Sequence, residues 1–234
     1  MTARLEVFGM TGIPEVRAGD DLAGHIADAA TDLRDGDVVV VTQKVVSKAE
    51  GAMVRIDADD PLSHKAVVEA ESVRVVRRRG DLIISETRQG FVCANAGVDL
   101  SNVDDGWAAV LPDDSDRSAR RLRDGLRARL GVDVAVIVSD TFGRPWRRGL
   151  TDVAIGCAGI RAVVDLRGTS DSRGRELQVT EVCVVDEIAS AAELVMGKAD
   201  GIAAAVVRGV DPAWLGRGEV RAEIVRPPAE DLFR

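Results

Sequence analysis

The sequence predicts an α/β protein with a mixed sheet. Strand-length apolar stretches alternate with amphipathic helical patterns: LEVFG (5–9), DLAGHIADAATDLR (21–34), then DVVVVTQ (37–43). That alternation argues for a layered α/β architecture with at least partly parallel pairing. Composition agrees, because hydrophobic residues make up 46% of the chain while aromatics are only 3%, with no tyrosine. A core built from Val, Leu, Ile and Ala suits α/β layers.

Taken in order, the first strand is LEVFG. Asp20 or Asp21 caps the helix that follows, whose Leu22, Ile26, Ala29, Ala30 and Leu33 share one face. The middle of the chain holds the short strand-like stretches AMVRI, SVRVVRR, DLIISET and FVCANAG, broken mainly by one helix at Pro61–Ala70, and predicts a smaller β-rich lobe. Ser115 or Asp116 then caps a charged helix reaching about Leu130, and VDVAVIVSD (132–140) is a central strand. TEVCVVDEIASAAELVMGK (180–198) predicts a buried helix ending near Gly197. IAAAVVRG (202–209) is a strand and RPPAEDLFR (226–234) a Pro-broken tail. No repeat or low-complexity linker divides the 234 residues, so residues 1–234 read as a single domain.

Charge and cysteine usage narrow the function. A net charge of −8 opposes broad attraction to nucleic acid or to an anionic membrane. Cys93, Cys157 and Cys183 are scattered in apolar stretches and form no CxxC pair, as expected of reduced core thiols in a cytoplasmic protein. No apolar stretch is long enough to cross a bilayer. There is no GxxxxGK[ST], GxGxxG or GxSxG motif, and His25 and His64 lie within helical patterns as surface or packing residues.

Ligands of open α/β sheets collect at the carboxyl ends of strands, and three such ends carry polar groups. VTQKVVSKAEG places Gln43, Lys44, Ser47 and Lys48 after a strand, where lysines meet phosphate oxygens or form a solvated turn. NAGVDLSN (95–102) offers hard oxygen ligands for Mg²⁺ or Mn²⁺, or a turn capped by Asx hydrogen bonds. VSDTFGRPWRRG (138–149) carries Asp140 on a rigid strand with Thr141 beside it. A second carboxylate such as Asp99 would complete an oxygen-lined cation site, with Arg144, Arg147 and Arg148 facing an anion. The competing reading is an ordinary strand end with a solvated basic loop. Pro145 and Trp146 between the arginines argue for a shaped, packed loop instead. SDSRGREL (170–177) and MGKADG (196–201) read, taken alone, as a structural turn and a glycine helix cap.

In order along the chain, GIPEVRAGDDL, DGDVVVVTQKVVSKAEG, CANAGVDLSN, LPDDSDRSARRLR, VIVSDTFGRPWRRGLTDVAIGCAG and RPPAEDLFR resemble the coenzyme F-420:L-glutamate ligase family, from about Gly9 onward. The resemblance implies an unusual α/β ligase fold, an intertwined homodimer, and GTP-dependent addition of L-glutamate to the carboxylate of the F-420 precursor, F-420-0, through an acyl phosphate. It also implies Mn²⁺ or Mg²⁺, with help from K⁺. Carried over by motif, Asp99, Asp140 and Thr141 look like metal ligands, and Asp140 and Arg144 are the expected catalytic residues. Ile13, Pro14, Glu15, Val16, Gln43, Lys48 and Asn102 look like nucleotide contacts, as does the segment with Met196, Gly197, Lys198 and Gly201. Lys198 is a departure, since archaeal relatives tend to carry an acidic residue there. Phe142 or Trp146 could stack on the deazaflavin ring or plug the loop. The alternatives are a metal-dependent phosphohydrolase and a non-catalytic binding protein for the deazaflavin coenzyme.

Overall fold

The computed structural model describes residues 4–231, so the last three residues of the predicted tail lie outside it. In chain order the regular elements are β1 (Glu6–Met10), α1 (Leu22–Ala29), β2 (Val38–Thr42), α2 (Gln43–Glu50), β3 (Met53–Arg55), α3 (His64–Glu71), β4 (Ser72–Arg79), β5 (Leu82–Thr87), β6 (Val92–Ala94) and β7 (Trp107–Ala109). They continue with α4 (Ser115–Leu130), β8 (Ala135–Arg144), β9 (Arg147–Ala158), β10 (Val164–Asp165), β11 (Glu181–Val182), α5 (Val184–Met196), β12 (Ala204–Arg208) and α6 (Val220–Glu223).

A five-stranded sheet ordered β1-β12-β2-β8-β9 forms the centre. Only β2 and β8 pair in parallel, while the other three pairs are antiparallel, so the predicted mixed sheet is what forms. The central strand β2 is buried and apolar from Val38 to Val41, as is β8 from Ala135 to Val138, because both of their faces are covered. In β2, Val39 and Val41 join the cluster under α1, α2 and α4, while Val38 and Val40 pack with α5 on the opposite face. β8 divides in the same way, with Val136 and Val138 on the first face and Ala135 and Ile137 on the second. The predicted β-rich portion is present as the antiparallel β4-β5-β6 sheet, with a small core of Val68, Ile83 and Ala96, beside the β3-β7 pair.

Several boundaries differ from expectation. α1 is capped by Asp21, whose carboxylate accepts from Gly24 N at 3.0 Å, as predicted, but the helix stops at Ala29. α4 is capped by Asp114 rather than by Ser115 or Asp116. Asp116 is instead turned inward and accepts from Cys157 N at 2.8 Å. It thereby caps an amide of β9, an edge strand whose backbone groups would otherwise lack partners. The predicted 180–198 helix is shorter, because Glu181–Val182 pairs with β10 before α5 begins.

The basic stretch is also not a packed loop. β8 and β9 run on to a tight hairpin in which Arg144 pairs with Arg147 and only Pro145 and Trp146 form the turn. Trp146 has φ 59° and is 84% exposed, so the hairpin is shaped by strand pairing and not by burial of its indole. No helix among the described residues is long and apolar enough to cross a membrane.

Candidate functional site

Strand register brings the predicted stretches to one edge of the central sheet. Met10, at the end of β1, sits opposite Ala204; Ala204 faces Val41, and Val41 faces Val138. The segments that leave or enter these positions are 11–16, 42–48, 140–144 and 197–203, and they therefore share the carboxyl-end edge of β2 and β8. The 95–102 stretch reaches the same edge through Lys44 on α2. The Lys44 ammonium lies 2.8 Å from Asp99 Oδ2 and donates to Ser101 Oγ at 2.6 Å.

The turn holding Asp99 is unusual in its backbone. Asn95, Ala96 and Gly97 all have positive φ, and Ala96 is nevertheless buried in the small core. Non-glycine residues seldom adopt this region unless their surroundings hold them there. The Asn95 carboxamide oxygen accepts from Ile83 N at 3.3 Å and tethers the turn to β5. Burial pushes the Asp99 carboxyl up, but hydrogen bonds from Lys44 and Ser101 reverse this and leave its pKa below the ordinary value.

Asp140 has no such ammonium of its own. Its Oδ1 accepts from Thr141 N at 2.8 Å. Burial is the main cause that raises its pKa to about 7; Asp152 and Asp99 raise it further, and the Thr141 amide and Lys198 offset this only in part. A carboxylate held on β8 just past the end of its pairing with β2, without a close cation, is one that a divalent ion would discharge.

Thr141 follows Asp140 on β8. Its hydroxyl donates to Asp152 Oδ1 at 2.5 Å and accepts from the Lys198 ammonium. Asp152, on β9, is almost fully buried and also accepts from Ser139 Oγ at 2.9 Å. Lys198 completes the group, 3.2 Å from Asp152 Oδ1 and 3.0 Å from Glu193 Oε1. Burial lowers the Lys198 pKa, but Glu193 and Asp152 outweigh that and raise it.

The remaining predicted residues are distributed as follows. Lys48 donates to Glu15, joining α2 to the 13–16 segment, in which Pro14 and Glu15 are exposed and Val16 is buried. Ile13 packs against the first-face core. Gln43 is buried, and its carboxamide donates to Ser47 Oγ at 2.5 Å and Val110 O at 3.0 Å, so its side chain is satisfied inside the protein. Asn102 is exposed with φ 52°. Met196 is fully buried in the second-face core, which anchors the 197–201 turn, where Gly197 and Gly201 both take positive φ. Arg144 lies on the exposed hairpin. Phe142 packs edge-on against Phe91 at 6.0 Å and borders a cavity of about 310 Å³ also lined by Val153, Asp186, Ile224 and Arg226.

Sequence reasoning missed Asp152 and Glu193. The available signal for Asp152 was an acid inside the strand pattern LTDVAIG, on a face that should be apolar. Glu193 falls within an ordinary helical pattern and gave none.

The donor set fits a hard divalent cation in chemistry, since Asp99, Asp140 and the Thr141 hydroxyl are all oxygen ligands. Among the described residues, no three or more His, Cys, Asp or Glu side chains are already gathered as a metal cluster. Asp99 is held by Lys44 and the Thr141 hydroxyl by Asp152 and Lys198. An ion would therefore be seated at Asp140, with the flanking groups shifting toward it.

Comparison with known proteins adds an independent finding. The profile of the F420-0:Gamma-glutamyl ligase family matches residues 11–209. Curated proteins named coenzyme F420:L-glutamate ligase are similar over nearly the whole chain. The one from Methanopyrus kandleri is 48% identical, with 94% of each chain covered. That from Methanothermobacter thermautotrophicus is 43% identical over 98% of this chain and 99% of the relative. That from Archaeoglobus fulgidus is 41% identical over 99% and 97%.

Proposed function

On the premise that the chain belongs to the F420-0:Gamma-glutamyl ligase family, we propose that it joins L-glutamate to the carboxylate of F-420-0 in coenzyme F-420 biosynthesis, with GTP as the co-substrate. The observation that carries the reading is the convergence of the 13–16, 43–48, 99–102, 140–144 and 196–201 segments on one edge of the sheet.

A carboxylate is a poor acylating agent. In the proposed sequence, a carboxylate oxygen of the acceptor attacks the γ-phosphorus of GTP and the bond to the β-phosphate oxygen breaks, giving an acyl phosphate and GDP. The glutamate amine then attacks the acyl carbon, loses a proton and expels phosphate. Phosphoryl transfer depends on positioning and charge neutralisation more than on a protein nucleophile, so a site without histidine suits it. Mn²⁺ or Mg²⁺, when bound, would supply neutralisation of the phosphate charge. Asp140 and Asp99 would hold that ion, the N-terminal turn of α2 would face phosphate, and Lys48 would reach phosphate by exchanging its contact with Glu15. Arg144 offers a planar fork to the phosphoryl group or to the substrate's own carboxylates. The cavity beside Phe142, apolar along Phe91, Val153 and Ile224 and edged by Asp186 and Arg226, would suit a planar ring with polar substituents.

The test is a ligation assay read by mass spectrometry, using the chain, GTP, Mn²⁺, L-glutamate and F-420-0. A product heavier by one glutamyl unit is expected. Phosphate release at full rate without either acceptor, or tight coenzyme binding with no turnover, would overturn the ligase reading.

A further inference from the structure

We infer that Lys198 is a tethered cation, its ammonium seated among Asp152, Glu193 and Thr141 where a free ion would otherwise be required, so that the site takes one divalent ion and not two. The inference rests on reading this edge as a metal and nucleotide site.

The geometry that carries it is a three-oxygen seat drawn from three elements. Lys198 Nζ donates to Thr141 Oγ1 on β8, to Asp152 Oδ1 on β9 at 3.2 Å and to Glu193 Oε1 on α5 at 3.0 Å. Asp152 is only 2% exposed in its side chain and Glu193 18%, so Asp152 is shut off from water and Glu193 is largely enclosed. The second oxygen of Glu193 is buried without a hydrogen-bond partner, so the Lys198 ammonium on Oε1 is the charge that compensates this carboxylate. Removing the ammonium would leave two enclosed carboxylates and a hydroxyl facing one another, an arrangement that binds hard cations.

The pairing of charges points the same way. Lys44 holds Asp99, and Lys198 holds Asp152 and Glu193. Among the described residues, Asp140 is the carboxylate of this group that accepts from a backbone amide and has no direct ammonium partner, so it is the one left for a divalent ion. Lys198 is on this account a positioning residue, since it also fixes the direction of the Thr141 hydroxyl beside Asp140.

The turn that carries Lys198 favours this role. Gly197 has φ 60° and ψ 173°, a conformation that residues other than glycine hardly adopt, and it lets the chain turn sharply after α5 so that Lys198 reaches back over β8 and β9.

The experiment is a count of bound Mn²⁺ by electron paramagnetic resonance of the free ion, on the full chain with and without GDP. Wild type is expected to bind one ion per chain. Lys198→Ala, which opens the seat, is expected to bind a second, while Lys198→Arg, which keeps the charge, stays at one. A wild-type stoichiometry of two overturns the inference whether or not either variant folds, and so does a folded Lys198→Ala that still binds one. If neither wild type nor Lys198→Ala binds Mn²⁺ with or without GDP, both this inference and the metal-site reading fall. In the other failures the metal-site reading stands.

Discussion

Replacing Asp140 by asparagine should stabilise the metal-free protein, and more so at high pH. Asparagine keeps the shape and the acceptor oxygen that receives Thr141 N at 2.8 Å, and removes only the charge. Burial, then the nearby Asp152 and Asp99, raise the Asp140 pKa from 3.8 to about 7. Between those values the native protein holds a proton that the unfolded chain has released. Wild-type stability therefore falls as pH rises through this window, and the cost is complete above about pH 7. Roughly three pKa units at about 1.36 kcal/mol each set a ceiling near 4 kcal/mol. Because the residue is partly open to solvent, about 2 kcal/mol is the expected gain at about pH 8, shrinking to less than half of that at about pH 5. Urea unfolding of both proteins in EDTA measures this directly. A gain that is absent, or equal at the two pH values, would refute the assignment of an uncompensated charge. The same substitution should weaken Mn²⁺ binding at least about tenfold by calorimetry, so stability and binding are expected to move in opposite directions.

Two further predictions concern the scaffold that holds this edge. Asp116→Ala removes the acceptor for Cys157 N, Val220 N and Arg221 N at 2.8, 2.9 and 3.1 Å, and should cost about 3 kcal/mol in chemical denaturation. It should also speed amide exchange around 220–221, and unchanged exchange there would deny Asp116 its clamping role. Gly156→Ala places a methyl 2.3 Å from the Ser115 carbonyl, where β9 meets the start of α4. A loss of about 3 kcal/mol or more is expected, and a melting temperature equal to wild type would show that α4 can shift at little cost.

Legibility in the sequence followed the range of the interaction. The valine run of β2 announced a strand covered on both faces, and Asp140 directly after an apolar run marked where β8 leaves its parallel partner, although the strand itself continues to Arg144. Both signals are local, because strand periodicity and the change from apolar to polar residues depend on neighbours in the chain. Boundaries failed where a distant partner intervened: Asp116 looks like a helix cap until β9 supplies an amide for it. The packed arginine loop failed similarly, since pairing of β8 with β9 carried the strands to the turn and left Trp146 outside.

By itself the sequence determined the α/β class, the aliphatic core, the family and the stretches that make up the candidate site. Tertiary structure alone decided how those stretches share charge. Lys44 with Asp99, and Lys198 with Asp152 and Glu193, are partners brought together by sheet register and by the return of the chain after α5. Which carboxylate is left without a cation depends on distances of a few ångströms between residues far apart in the chain, and electrostatic energies at such separations cannot be read from spacing in a sequence.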